Sequence, residues 1–248
     1  MTDVNETSVS RRRFVASAAA AAVGGVSGAM LVALPVQARR PGDPVTSKVR
    51  WGMLIDAAKC ADGCDACVSA CDRENGLTDQ DNPDIDVRWI RKVRVRDRQT
   101  QRVTTLPMLC QHCETAPCVD VCPTGASMRR ADGVVLVNMH TCIGCRYCMM
   151  ACPFKARSFV HETVENQVTQ APRGKGCVTS CTLCVHKLDA GHATTACTQA
   201  CKAEGHEAIT FGDLNDPNSE VSRRMRENPS RQLRADLGLN QGVRYSGV

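Results

Sequence analysis

The feature that most constrains this chain is the run from Cys142 to Pro153, CIGCRYCMMACP. Three cysteines at two-residue spacing are followed three residues later by a fourth, then by proline. Tight turns at that spacing aim three thiolates at one iron–sulfur cube, and the fourth cysteine reaches a neighbouring cube. A structural zinc site takes four thiolates in two well-separated pairs. Here four lie within eleven residues. Zinc and a disulfide cluster are the competing readings of such a thiol-rich run.

Composition agrees with a metal-stapled fold. There are 17 cysteines in 248 residues, while aromatic residues make up only 3%. So few large side chains build a modest apolar core, and cofactors held by cysteine would tie it together. The formal charge of +5 is mild, with basic residues scattered among acidic ones. Nucleic-acid binding, which needs a concentrated basic face, is not expected. The six histidines have no metal-ligand spacing, no nucleophile elbow is present, and there is no domain on the scale of a molybdopterin enzyme. No catalytic residue is assigned.

Residues 1–38 read as an export signal. Ser10-Arg11-Arg12-Arg13-Phe14-Val15 matches the twin-arginine pattern, with Ala16 where lysine is common. An Ala- and Gly-rich apolar run follows to Val36, and Val36-Gln37-Ala38 supplies a cleavage site. An uncleaved membrane anchor is the other reading, since the run is long enough to span a bilayer. Either way the main domain lies outside the cytoplasm. Twin-arginine export carries folded proteins, and thiolates already bound to iron are protected from oxidation to disulfides.

Three more cysteine groups repeat the device. Val49–Asp56 has strand-like residues and leads into Cys60, Cys64, Cys67 and Cys71, whose first gap is widened around Asp62-Gly63 and whose closing proline is Asp72. A polar stretch over 72–89 carries turn signals. Candidate strands then run over Ile90–Val95 and Val103–Leu109, and the Arg88–Arg98 charges read as a solvated strand face. Cys110, Cys113, Cys118 and Cys122 form the second group, closed by Pro123. His112 inside it needs no ligand role. Gly133–Val137 reads as a buried strand ahead of Cys142, and 157–161 as a short strand after it. Residues 162–176 read as a loop. The last group is Cys181, Cys184, Cys197 and Cys201, with a twelve-residue gap, Lys202 in place of proline, and a strand at Ala208–Gly212. Cys177 is a seventeenth cysteine; its spacing to Cys184 makes Cys181 the better ligand. Two Arg-rich segments, Arg223–Arg226 and Arg231–Arg234, are candidate short helices in a cysteine-free tail.

The alternation of cysteine group, short strand and cysteine group resembles bacterial two-cluster ferredoxins. There, three ligands come from one group and the fourth from its partner. By that rule Cys110, Cys113 and Cys118 share a [4Fe–4S] cube with Cys152, and Cys142, Cys145 and Cys148 share one with Cys122. The outer groups pair likewise: Cys60, Cys64 and Cys67 with Cys201, and Cys181, Cys184 and Cys197 with Cys71. Four [4Fe–4S] clusters are expected. The expected fold is α+β, a duplicated two-cluster ferredoxin with one half inserted in the other, and short strands and helices around the clusters. The outer half spans 49–98 plus 166–212 and the inner half 99–165. Residues 213–248 form a tail that either wraps its own domain or docks on a partner, and docking is the expectation. Three departures, the widened Cys60 gap, Asp72 and Lys202, fall in the outer groups, where a mispairing is most expected.

Four groups in this order, with the second and fourth widened, resemble the four-cluster iron–sulfur subunits of the dimethyl sulfoxide reductase type over residues 49–212. The stretches GVVLVNMHTCIGCRYCMMACPFKARSFVHE, RGKGCVTSCTLCVHKLDAGH, ITFGDLNDPNSEVSRR and LGLNQGVRY are similar to the exported DsrO type of the Dsr membrane redox complex of sulfur metabolism. The resemblance implies a periplasmic electron-transfer subunit attached to the inner membrane through its partners. Those partners are an integral membrane quinone-interacting subunit and a periplasmic multihaem cytochrome or other redox subunit. Two other readings are a relay serving a molybdenum reductase for tetrathionate or polysulfide, and a structural zinc protein that binds partners. If cleavage follows Ala38, the remaining chain of about 210 residues has a radius of gyration of about 17 Å, so four cubes within it must lie close enough to pass electrons.

Potential tuning is also suggested. Arg146 lies inside the opening motif, with Lys155 and Arg157 just beyond. Positive charge beside a cube favours its reduced form; side chains pointing to water would be screened and have little effect. The iron and zinc readings separate by colour. Purified without oxygen, the protein is expected to show a broad visible absorption that bleaches on reduction; a colourless protein with stoichiometric zinc would overturn the relay.

Overall fold

A computed structural model describes residues 42–77, 82–165 and 167–248. The expected signal over 1–38 lies outside the described residues, as do 78–81 of the polar stretch and 166 of the later loop. Among the described residues, ten short strands and six α-helices follow one another along the chain. The strands are β1 (Trp51–Asp56), β2 (Arg91–Arg96), β3 (Val103–Met108), β4 (Ser127–Arg129), β5 (Val135–Val137), β6 (Ser158–Phe159), β7 (Val178–Thr179), β8 (Ile209–Asp213), β9 (Ser230–Arg231) and β10 (Val243–Ser246). The helices are α1 (Ala66–Asn75), α2 (Pro117–Asp120), α3 (Tyr147–Ala151), α4 (Val185–Asp189), α5 (Ala196–Ala203) and α6 (Glu220–Glu227). The arrangement is α+β, with small sheets around the cysteine-bearing segments.

The largest sheet has the order β8-β1-β10-β9. Strand β1 reads WGMLID, and every residue but the last is buried, as its near-continuous apolar run requires of a central strand. It pairs antiparallel with β8, Leu54 opposite Thr210, and parallel with β10, Leu54 opposite Arg244. Trp51 stacks on Phe211 with ring centroids 5.4 Å apart. Gly52 permits this packing, because a Cβ there would meet the Leu214 side chain and lie 2.5 Å from the Gly242 carbonyl oxygen.

The tail beyond residue 213 therefore wraps its own domain. Its strand β10 lies inside the sheet, and Tyr245 is fully buried. The Tyr245 hydroxyl donates to the Pro107 carbonyl at 3.1 Å and accepts from Gln111 Nε2 at 3.2 Å. Helix α6 starts at a Ser219 cap, whose hydroxyl accepts from the Ser222 amide, and Val221 on its inner face is buried. The second Arg-rich segment is not helical. Pro229 follows Asn228, the residue before a proline is pushed to extended backbone, and Asn228 adopts φ −118°, ψ 122°. The chain continues as β9, which pairs with β10.

The other sheets are two-stranded: β2–β3, β4–β5 and β6–β7. The β2–β3 hairpin is more exposed than a half-buried strand, with Arg91, Arg94 and Arg96 and also Val93, Val95 and Val103 open to solvent. Helix α1 ends at Gly76, whose left-handed φ of 62° serves as the C-cap. This is the physical meaning of the Asn75-Gly76 turn signal. Helix α1 packs against α5, and α2 against α3. Among the described residues no helix is long and apolar enough to cross a membrane.

Tyr245→Phe should leave the Pro107 carbonyl and one Gln111 N–H without a partner and cost about 1–2 kcal/mol. The thermal midpoint of the loaded protein, followed by cluster absorption, should fall on the order of 4 °C.

Candidate metal centre

In each cysteine group the third and fourth members stand four residues apart, at the two ends of one helical turn: Cys67 and Cys71 on α1, Cys118 and Cys122 at α2, Cys148 and Cys152 at α3, Cys197 and Cys201 on α5. Positions i and i+4 share a helix face, so a helix lying beside another presents one thiol toward each end of the pair. The first two cysteines of each group come from tight turns. Several hold a left-handed residue: Gly63 (φ 77°), His112 (φ 45°), Gly144 (φ 70°), Arg146 (φ 64°) and Leu183 (φ 53°). Such conformations are costly for a residue other than glycine and persist where the surroundings over-determine them. At Gly144 the chain also runs against the Gly176 carbonyl, so a Cβ has no room.

The structure gathers the sixteen thiols into four sets. Cys71, Cys181, Cys184 and Cys197 line one cavity. Cys122, Cys142, Cys145 and Cys148 line another. Cys60, Cys64, Cys67 and Cys201 lie within electrostatic reach of one another. So do Cys110, Cys113, Cys118 and Cys152. Each set thus combines three cysteines of one group with the fourth of another.

These are sites for a body with volume. Thiolates around one zinc ion at 2.3 Å would stand about 3.8 Å apart. Among the described residues no three His, Cys, Asp or Glu side chains are grouped that way around a single ion. Four thiolates spread around a hole fit a cube.

The electrostatics point the same way. Burial, followed by neighbouring thiolates, pushes Cys113 up to about 12, and burial pushes Cys197 up to about 12 against the Thr195 hydrogen bond. Cys67 and Cys118 rise to about 11, through burial opposed by Lys92 in the first case and by Arg157 in the second. Cys71 and Cys181 are raised well above the usual thiol range, again by burial first. Without metal these thiols hold their protons. Binding must displace the protons and supply positive charge, which iron does. Cys122 is the exception: burial is slight there, and hydrogen bonds from the Ser127 amide and Thr124 bring it down to about 7.

A second ring of donors already points at the sulfurs. Backbone amides of Ser127, Val178, Ala196 and Ala208 donate to Cys122, Cys142, Cys184 and Cys201 at 3.2–3.4 Å. Thr195 Oγ1 lies 3.1 Å from Cys197 Sγ, Asn75 Nδ2 3.6 Å from Cys71 Sγ, and Arg157 Nη2 3.1 Å from Cys118 Sγ. Hydrogen bonds to the sulfurs are one lever on cluster potential. The cysteine spacing is visible in sequence, but most of these donors are not. Lys92 and Arg157 carry no local signal, because each reaches its thiols from a distant part of the chain.

His112 is buried, and burial together with the Arg157 charge brings it down to about 3, so the ring is neutral. Its Nδ1 accepts from the Val135 amide at 3.0 Å, which leaves the proton on Nε2. Cys177 belongs to none of the four sets; its thiol donates to the Met139 carbonyl at 3.5 Å. Arg146 caps the Phe159 ring, 3.8 Å from its centroid, while Arg157 is buried.

Two family models match, both described as a 4Fe-4S dicluster domain, over residues 47–126 and 101–214. The chain is 36% identical to the "Hdr-like menaquinol oxidoreductase iron-sulfur subunit 1" of Archaeoglobus fulgidus, over 96% of this chain and 98% of that protein. The chain belongs to the four-cluster iron–sulfur subunits of the dimethyl sulfoxide reductase type. It is 34% identical to a tetrathionate reductase subunit of Salmonella typhimurium, over 90% of this chain and 83% of that protein. It is also 32% identical to the iron-sulfur cluster-binding subunit of menaquinone reductase of Nitratidesulfovibrio vulgaris, over 80% and 89%. Two dicluster domains give four [4Fe–4S] clusters, and the family's role is electron transfer.

The sets make a sharp prediction for substitution. Cys122→Ser and Cys145→Ser, from different groups, should abolish the same low-temperature electron paramagnetic resonance signal. Cys152→Ser, from the same group as Cys145, should abolish a different one. Each should remove about a quarter of the iron.

Proposed function

We propose that this chain is a non-catalytic periplasmic subunit relaying electrons through four [4Fe–4S] clusters. It would do so between a membrane quinone-interacting subunit and a redox partner, such as a multihaem cytochrome, in dissimilatory sulfur metabolism. The sixteen cysteines act as the iron ligands in the four sets described. The two helix pairs, α1 with α5 and α2 with α3, support a ferredoxin duplication with the inner half, 99–165, inserted in the outer.

The observation that carries the relay is the succession of the sets. Burial raises the Cys197 thiol, and the Cys184 and Cys67 charges add to it, which supports the Cys60 set as neighbour of the Cys71 set. Cys181, raised by burial and by Cys197, also feels Cys110, which supports the Cys71 set as neighbour of the Cys110 set. Arg157 touches Cys118 and acts on Cys148, so the Cys142 set stands next in line. A row of closely spaced one-electron centres is a conductor, and no substrate site is needed to explain it.

One end of the row opens to the surface. Cys145 is exposed, and around it stand Ile143 (67% exposed), Tyr147 (54%) and Met150 (66%). An apolar rim over a thiol of the terminal set suits docking of a partner that exchanges electrons there. The A. fulgidus and N. vulgaris relatives are named for menaquinol and menaquinone, which supports a quinone-interacting membrane partner. The twin-arginine sequence of residues 10–15 supports export. A relay serving a molybdenum reductase is the second reading, favoured by the tetrathionate reductase and dimethyl sulfoxide reductase relatives.

Co-purification from membranes with iron counting tests the reading and separates the partners. A quinone-interacting subunit and a haem protein are the expected companions; a molybdenum subunit would select the second reading, and a chain found alone and free of iron would overturn both. Ile143→Glu with Met150→Glu should slow quinol-driven reduction of the clusters roughly tenfold or more and leave chemical reduction by dithionite unchanged.

A further inference from the structure

Arg157 is a guanidinium buried to 5% exposure; it bonds Cys118 of one inner set and acts on Cys148 of the other. Its Nη2 donates to Cys118 Sγ at 3.1 Å, in the Cys110 set. Its Nη1 donates to Ser127 Oγ at 2.8 Å. The Ser127 amide in turn donates to Cys122 Sγ at 3.4 Å, in the Cys142 set. A continuous hydrogen-bonded path therefore runs from a sulfur of one inner set, through Arg157 and Ser127, to a sulfur of the other. We propose that this Arg157–Ser127 bridge is a shared positioning element that sets the reduction potentials of the two inner clusters together.

The physical case has three parts. A cation in a low-dielectric interior is expensive unless it is paired, and the groups that act on Arg157 are thiolates: burial opposes its charge, and Cys118, Cys110 and Cys148 favour it. The planar fork has the geometry to reach two acceptors at once, which a lysine point charge does not. The buried Nε has no partner among the described residues, and a cluster sulfide is an acceptor of the kind it needs. An electron arriving on either inner cluster adds negative charge beside the same guanidinium. Arg157 therefore favours the reduced form on both sides and raises the two potentials together. Arg157 stays protonated throughout; only the electron moves.

The inference rests on the cysteine sets proposed above. Its test is a redox titration of the purified, iron-loaded complex, followed by electron paramagnetic resonance. The inner signals are first identified by their loss in Cys145→Ser and Cys152→Ser. Arg157→Gln should lower the equilibrium constant for reducing each inner cluster about tenfold, which is about 59 mV for one electron, and leave the two outer clusters unmoved. Ser127→Ala keeps the amide that bonds Cys122 but removes the hydroxyl that receives Arg157 Nη1 and acts on Cys148, and should shift chiefly the cluster of the Cys142 set. Arg157→Lys, which keeps the charge but loses the fork, should shift both inner clusters less than Arg157→Gln. Should Arg157→Gln fail to load iron, Ser127→Ala and Arg157→Lys carry the test. Loaded variants with unchanged inner potentials, or with all four clusters shifted equally, would overturn the bridge. Cys145→Ser and Cys152→Ser removing one and the same signal would overturn the cysteine sets instead.

Discussion

The arrangement depends on one constraint: burial makes charge on these sulfurs costly, and metal supplies the positive charge that lets them ionise. Most of the sulfurs are buried, and burial opposes charge on them; the Cys142 set opens to solvent at Cys145. The polypeptide supplies little that would hold such sites closed alone. Its sheets are small, three of the four among the described residues having two strands, and its aromatic content is low. The clusters are therefore part of the core, and the helix pairs are shaped around them.

The geometry of the third and fourth cysteines explains how short helices organise so much. One helical turn separates Cys67 from Cys71 and Cys148 from Cys152, yet the members of each pair face different sets. Each helix is thereby tied to two sites. Adjacent sites share a wall, which keeps the path between them short. A relay is a direct result of that shared wall.

Much of this was legible in the sequence because cysteine spacing is local. The groups, the strands near residues 51, 103 and 209, and the turn at Asn75-Gly76 follow from residues close together in the chain. The rest was not legible, for physical reasons. Arg146 sits inside the motif as a charge near a cluster, but it covers the Phe159 ring. Arg157, just outside, turns inward because Ser127 and Cys118 receive it, 30 and 39 residues away. Lys92 reaches the Cys60 set from a strand that reads as solvent-facing. The Arg231–Arg234 segment has helix-like composition, but Pro229 and the pairing of β9 with β10 override it. Nothing local to Tyr245 signals that a tail strand enters the main sheet.

That last feature has a temporal meaning. Strand β1 is the first strand of the described chain and β10 the last, and they lie side by side, Met53 opposite Val243. All seventeen cysteines fall between them in the sequence. The sheet cannot close until the segment after the final cysteine has emerged from the ribosome. Contacts of such long sequence separation also form slowly. The closing strand thus acts as a latch that registers completion: the buried Tyr245 is in place only in a chain already long enough to hold every cluster.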